Sequence, residues 1–250
     1  MPPPSQSTEP RPAPLLQRHC FITIGATAHF TQLLTSALSP SFLSKLSEYE
    51  YTHLTLQAGP DASLIDEWVQ KPQLQSHLSE VGLTVRSFDY NRVGLTGEMI
   101  LCRKRARGDP LATALGEPEA LRREGVVICH AGAGTVLDAL RLSVPIIVVP
   151  NPSLLDDHQT ELAEELESQG YVIHGQLEEL GEALDRNEER VRRGKGRTWG
   201  QMELDTLRGD VCDVLDQEVG VDAKVGKARR KEIKLRAEKQ KEAELRGMLD

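Results

Sequence analysis

The residues best placed to do chemistry lie in the run VVICHAGAGTVLD, from Val126 to Asp138. An apolar stretch ends at His130, the chain passes through Gly132, Ala133 and Gly134, and a helical pattern opens at about Thr135. Glycines at a strand end let the backbone turn sharply and approach a ligand closely. A helix starting there directs free N–H groups and the positive end of its dipole outward, which suits a phosphate or diphosphate. Asp138, one turn in, could accept hydrogen bonds from the paired hydroxyls of a ribose. The spacing is not the dinucleotide fingerprint, since Leu137 stands at its third glycine, and no Gly-Lys-Ser/Thr follows to make a P-loop. Thr135-x-x-Asp138 also fits a capping box, in which both side chains only close the helix end. His130 is the one histidine beside this turn and the weak candidate for a catalytic role.

Two further turns carry similar groups. After the apolar PIIVV run, Asp157, His158 and Gln159 offer an acceptor, a switchable donor and an amide within one helical turn, a set able to read several sugar hydroxyls. Asp156 and Gln159 also form a plausible capping pair. Gly25, Thr27 and the residues up to Phe30 follow the first apolar run, and Gln57-Ala-Gly59 ends the second. Together these turns would place polar groups along one edge of one sheet, where ligands of open α/β folds bind.

The elements that must hold these turns are readable from periodicity. Short β-rich runs occur at His19–Ile24, His53–Gln57, Leu83–Phe88, Val126–Cys129 and Pro145–Val149; the last two are continuously apolar, as in strands covered on both faces. Helical spacing appears at Phe30–Leu38, Pro40–Leu46, Ser63–Val69, Val136–Leu142 and His158–Ser168. Strand and helix alternate, which predicts an α/β domain with a Rossmann-like parallel sheet. We read residues 1–18, with six of the chain's 14 prolines, as a disordered tail. We read residues 19–190 as the Rossmann-like domain that carries these turns, interrupted by an insertion loop at about 91–118. A linker and helix over 191–218 and a charged helical tail over 219–250 follow.

Composition narrows the function classes. The 250 residues carry 38 acidic and 30 basic side chains, but residues 219–250 hold 10 Lys/Arg against 6 Asp/Glu, leaving the rest at net −12. An acidic body with no basic stripe disfavours nucleic acid as a partner. Four scattered cysteines without C-x-x-C argue against a disulfide framework or zinc site. No apolar run approaches the length that crosses a bilayer, and the N-terminus lacks a secretory signal's apolar region.

The ordered set Gly25-Ala-Thr-x-x-Phe30, Gln57-x-Gly59, His130-Ala-Gly-Ala-Gly-Thr135, Asp138-Ala-Leu-Arg-Leu142 and Asp157-His-Gln-x-x-x-Ala163 resembles a family. It is that of the cytosolic catalytic subunits of the UDP-N-acetylglucosamine (UDP-GlcNAc) transferase that builds dolichol-linked oligosaccharide, itself similar to the C-terminal domain of the bacterial lipid II N-acetylglucosaminyltransferase. The resemblance spans about residues 19–175. It implies the donor-binding half of a GT-B glycosyltransferase, with transfer of GlcNAc from UDP-GlcNAc to GlcNAc-diphosphate-dolichol and inversion. It further implies a membrane-anchored acceptor-binding partner, a heterodimer at the cytosolic face of the endoplasmic reticulum with a soluble cytoplasmic pool, and neither cofactor nor bound metal. By the same resemblance Gly132, Ala133, Gly134 and Thr135 would line the diphosphate and sugar, and Asp138 would hold the ribose. His158 and Gln159 would face the GlcNAc hydroxyls, and Ser87–Asp89 would lie near the uracil. No general base is assigned on this chain; the partner is expected to supply it or the architecture that positions it. The alternative reading is a non-enzymatic nucleotide-binding or interaction module. A nicotinamide-dependent oxidoreductase fails on the missing third glycine.

Overall fold

A computed structural model describes residues 16–25, 29–106, 121–153 and 158–194. Six parallel strands form one sheet: β1 (His19–Thr23), β2 (His53–Gln57), β3 (Thr84–Phe88), β4 (Val126–Cys129), β5 (Ile146–Val148) and β6 (Ile173–His174). Their spatial order is β3-β2-β1-β4-β5-β6. The chain therefore builds outward from β1 to one edge, returns to β4, and builds outward to the other. The register sets Cys20 beside Val126 and Leu54, and Thr23 beside Cys129 and Gln57.

Alternation along the strands separates two apolar layers. Cys20, Ile22, Leu54, Leu56, Val126, Ile128 and Ile147 face one side. There they meet α1 (Thr31–Ala37), α2 (Pro40–Glu48), α3 (Ala62–Val69), α4 (Pro72–Val81) and α8 (Leu180–Arg192). Phe21, Val127, Cys129, Ile146 and Val148 face the other side, under α5 (Thr96–Leu101), α6 (Ala133–Arg141) and α7 (His158–Ser168). Cys20, Cys102 and Cys129 are buried free thiols; burial raises all three, Cys129 to about 12.

Three boundaries differ from expectation. The segment predicted as an insertion loop at 91–118 contains α5, whose Met99 is buried against the Phe21 layer. A parallel crossover from the β3 edge back to β4 needs a covering helix, and six residues are too few to show its period. Arg18, grouped by composition with the proline-rich tail, is buried at 4% exposure. Its guanidinium bonds Glu188 at 2.6 Å, the Tyr49 carbonyl at 2.6 Å and the Glu124 carbonyl at 2.7 Å, and lies 4.2 Å over the Tyr51 ring. Tyr51 and Tyr49 donate to Glu188 and Asp185, so α8 is latched to the amino edge of the sheet. Helix α6 opens at Ala133, two residues earlier than predicted. Residues 1–15, 107–120 and 195–250, with the expected charged tail, lie outside the described residues.

Candidate functional site

Strands β1 and β4 are neighbours whose following connections run to opposite sides of the sheet. The crevice outside their carboxyl ends is the topological switch point, where open α/β folds bind ligands. The turns singled out in the sequence converge there: Gly25 follows β1, Gln57 ends β2, and the His130–Gly134 turn follows β4.

Gly132 is the N-cap of α6 in extended conformation (φ −88°, ψ 120°) and offers no side chain to close the helix. Val136 is the first residue to donate back, to the Gly132 carbonyl at 3.1 Å. The amides of Ala133, Gly134 and Thr135 are thus left without intrahelical acceptors. Gly134 is exposed, and a Cβ built on it would meet nothing within 4 Å. The start of the helix therefore carries three amides without intrahelical acceptors and the positive end of its dipole, with open space at Gly134. Thr135 sits at the third helical position, so it is not the cap. Asp138 lies mid-helix, half exposed, and pairs with Arg141 at 3.1 Å. The capping-box arrangement does not form.

Gly132 and Gly25 share another task. A Cβ at Gly132 would stand 2.3 Å from the His130 Nε2, and one at Gly25 2.4 Å from its Cε1. Gly25 also has φ +80°, the left-handed region that favours glycine. The His130 ring is clamped between the two glycines. Burial pushes its pKa below the ordinary imidazole value, against an opposing contribution from the Thr23 carbonyl. Nδ1 is buried without a hydrogen-bond partner among the described residues. A neutral, wedged ring holds the two turns together and brings no positive charge to a diphosphate.

Gln57 is 2% exposed and fully engaged. Its Oε1 accepts from the Thr23 hydroxyl at 2.6 Å, and its Nε2 donates to the carbonyls of Gly25 (3.2 Å) and Asp89 (2.8 Å). Thr23 Oγ1 also accepts from the Gly25 amide at 3.2 Å. Gln57 therefore fastens the ends of β1, β2 and β3 to one another. The Asp89 carbonyl is committed to this bond, and the Ser87 hydroxyl donates to Asp66.

Across the crevice, Gln159 in α7 accepts from the Asn151 amide at 2.9 Å, and the Asn151 Nδ2 donates to the His29 carbonyl at 3.1 Å. Asn151 is 5% exposed. The imidazole of His29 meets the Asp61 carboxylate at 3.0 Å, which also accepts from the Thr31 hydroxyl at 2.6 Å. Asp61 ends a 3-10 turn after β2. Thr23, His29, Asp61 and Asn151 were not singled out in the sequence. The only available hint was polar side chains at strand ends beside glycine or proline. Thr27 and Asp157 lie outside the described residues, and His158 is placed only by its backbone as the first residue of α7.

Comparison with known proteins places this arrangement. Residues 117–198, spanning β4 to α8, match the glycosyltransferase family 28 C-terminal domain. The UDP-N-acetylglucosamine transferase subunit ALG13 of Cryptococcus neoformans is 33% identical over 171 residues, covering 65% of this chain and 80% of that protein. Its Saccharomyces cerevisiae counterpart is 31% identical over 166 residues, covering 62% and 76%. The solution structure of an ALG13 superposes with a TM-score of 0.52 at 23% identity, covering 77% of this chain and 94% of that one, which shows the shared fold. With the expected parallel sheet in place and the relatives matched over most of their length, the chain belongs to the family of the UDP-N-acetylglucosamine transferase subunit ALG13.

Proposed function

We propose that the chain is the donor-binding subunit of a two-subunit inverting glycosyltransferase, which moves GlcNAc from UDP-GlcNAc to GlcNAc-diphosphate-dolichol. The observation that carries this reading is the uncapped start of α6 at the carboxyl end of β4, where the first three amides lack intrahelical acceptors and the surface is open at Gly134. Displacement of UDP builds negative charge on its β-phosphate while the sugar becomes cationic. Preorganised N–H donors and a helix dipole stabilise such charge most where water is excluded. Gly132, Ala133, Gly134 and Thr135 would form that cradle. Asp138 would accept from the ribose, with Arg141 as its resting partner. Asp157, His158 and Gln159 would face the sugar, and Gly25 and Thr27 would close the opposite wall. Gln57 and His130 act by holding these walls.

No helix among the described residues is long and apolar enough to cross a membrane. In this reading a membrane-anchored subunit binds the lipid acceptor and keeps the chain at the cytosolic face of the endoplasmic reticulum. The test uses microsomes from cells that express the full chain in place of their own family member. Transfer from UDP-GlcNAc to the lipid acceptor is expected there and is expected to be negligible for the purified chain alone. Full activity from the purified chain would overturn the two-subunit reading; no transfer in the microsomes would overturn the function.

A further inference from the structure

We infer that His29, oriented by Asp61, is the general base that takes the proton from the acceptor hydroxyl. The inference rests on the glycosyltransferase reading above and places the base on the donor-binding chain. His29 lies on the turn after β1, and two contacts fix it from opposite sides. Its carbonyl accepts from Asn151, which follows β5, and its imidazole meets Asp61, which follows β2. Strands β1 and β4 lie between those two anchors, so the residue straddles the switch point. Only two hydrogen bonds, through Asn151, separate it from Gln159, placing it on the side of the crevice assigned to the donor sugar.

The ring is 67% exposed while its carboxylate partner is 12% exposed. An exposed histidine is ordinarily free to rotate; this one is held by a sheltered carboxylate that Thr31 fixes in turn. Asp61 is the charged group in contact with the ring among the described residues. A carboxylate oxygen accepts, so Nδ1 carries the hydrogen in this contact and the lone pair is left on Nε2, on a ring that stands largely in solvent. A carboxylate that fixes the tautomer and orientation of an imidazole is the arrangement by which histidine serves as a base.

The step balances without a further reactant. The acceptor hydroxyl oxygen forms a bond to the anomeric carbon as the bond from that carbon to the UDP oxygen breaks, its electron pair leaving with UDP. The hydroxyl proton passes to Nε2 of His29, and the resulting imidazolium, paired with Asp61, loses it to water after release.

The experiment compares wild type, His29→Ala, His29→Gln and Asp61→Asn in the same microsomes, with donor KM, kcat and its pH profile as readouts. His29→Ala and His29→Gln are expected to lower kcat by about 10²–10⁴-fold. The KM for UDP-GlcNAc should stay within twofold, the acid limb of the kcat profile should vanish, and added imidazole should partly restore His29→Ala. Asp61→Asn should show a smaller loss in kcat. An active wild type whose His29→Ala variant keeps kcat within threefold, or keeps the acid limb, overturns this inference alone. A wild type without transfer overturns the function reading and this inference with it.

Discussion

Replacing Gln57 with alanine separates bracing from direct substrate contact. The substitution removes three hydrogen bonds at once: one accepted from Thr23 and two donated to the Gly25 and Asp89 carbonyls. At about 1 kcal/mol each, their loss amounts to about 3 kcal/mol. The site is closed to solvent, so the stranded carbonyls regain little from water, and about 4 kcal/mol is a reasonable upper figure. Against a total stability of about 5–15 kcal/mol, this is a large fraction. With a urea slope of about 2 kcal/mol/M, the unfolding midpoint should fall by about 1.5–2 M. Gln57→Glu should be at least as damaging, because a carboxylate cannot donate to either carbonyl. Urea titrations of the purified chain provide the measurement, with UDP-GlcNAc KM from microsomes beside them. A stability loss below 1 kcal/mol accompanied by loss of donor use would refute the bracing account and make Gln57 a direct contact.

Other expectations concern the same walls and the opposite edge. Gly132→Ala should lower thermal stability, because its Cβ would fall 2.3 Å from His130 Nε2. Gly25→Ala adds strain at φ +80° to a similar clash and should be worse; melting curves order the two, and the reverse order refutes the clamp. Asp138→Ala should leave the midpoint almost unchanged, since an exposed pair such as Asp138–Arg141 contributes at most about 1 kcal/mol. Donor use should fall by the loss of a charged hydrogen bond, about 1.5–3 kcal/mol; a drop in stability with donor use intact would contradict the assignment. Burial, helped by His53, Arg122 and Arg86, lowers His19 from 6.5 to about 4. A group depressed on folding withholds the proton that the unfolded chain accepts, so its stability is fully present above pH 6.5 and is lost as pH falls towards 4. The loss reaches about 3 kcal/mol, and burial lowers His53 and His130 in the same direction. Urea midpoints at pH 7 and 4.5 should differ accordingly, and equal midpoints would refute this account.

Legibility in the sequence followed the range of the interactions involved. β4 and β5 were evident because every residue in each is buried, so the local string is apolar throughout. β6 was not, because two residues leave no period to read and its pairing with β5 is settled by tertiary packing. Helix α4 is not legible although Pro72 opens it; its single buried apolar residue, Leu78, gives a weak stripe. The glycine turns were legible, since their composition is local. The role of Gly25 and Gly132 in seating His130 was not, because it depends on two turns more than a hundred residues apart meeting at one ring. Likewise the Asn151–His29 bond joins residues 122 apart, and neither resembles a motif alone.

The latch at the amino edge also bears on how the chain is made. Arg18 and Glu188 are separated by 170 positions. At about 5–20 residues per second, synthesis delivers the carboxylate roughly 10–30 s after the guanidinium. Until then the guanidinium has the Tyr49 and Glu124 carbonyls but no carboxylate, and the apolar face around Ile147 lacks Leu180, Ala183 and Leu184 of α8. The apolar strands emerge first and wait for the last described helix. A message truncated before α8 would leave that apolar face uncovered, and its product is expected to be drawn to chaperones and proteolysis rather than to act as a smaller working domain.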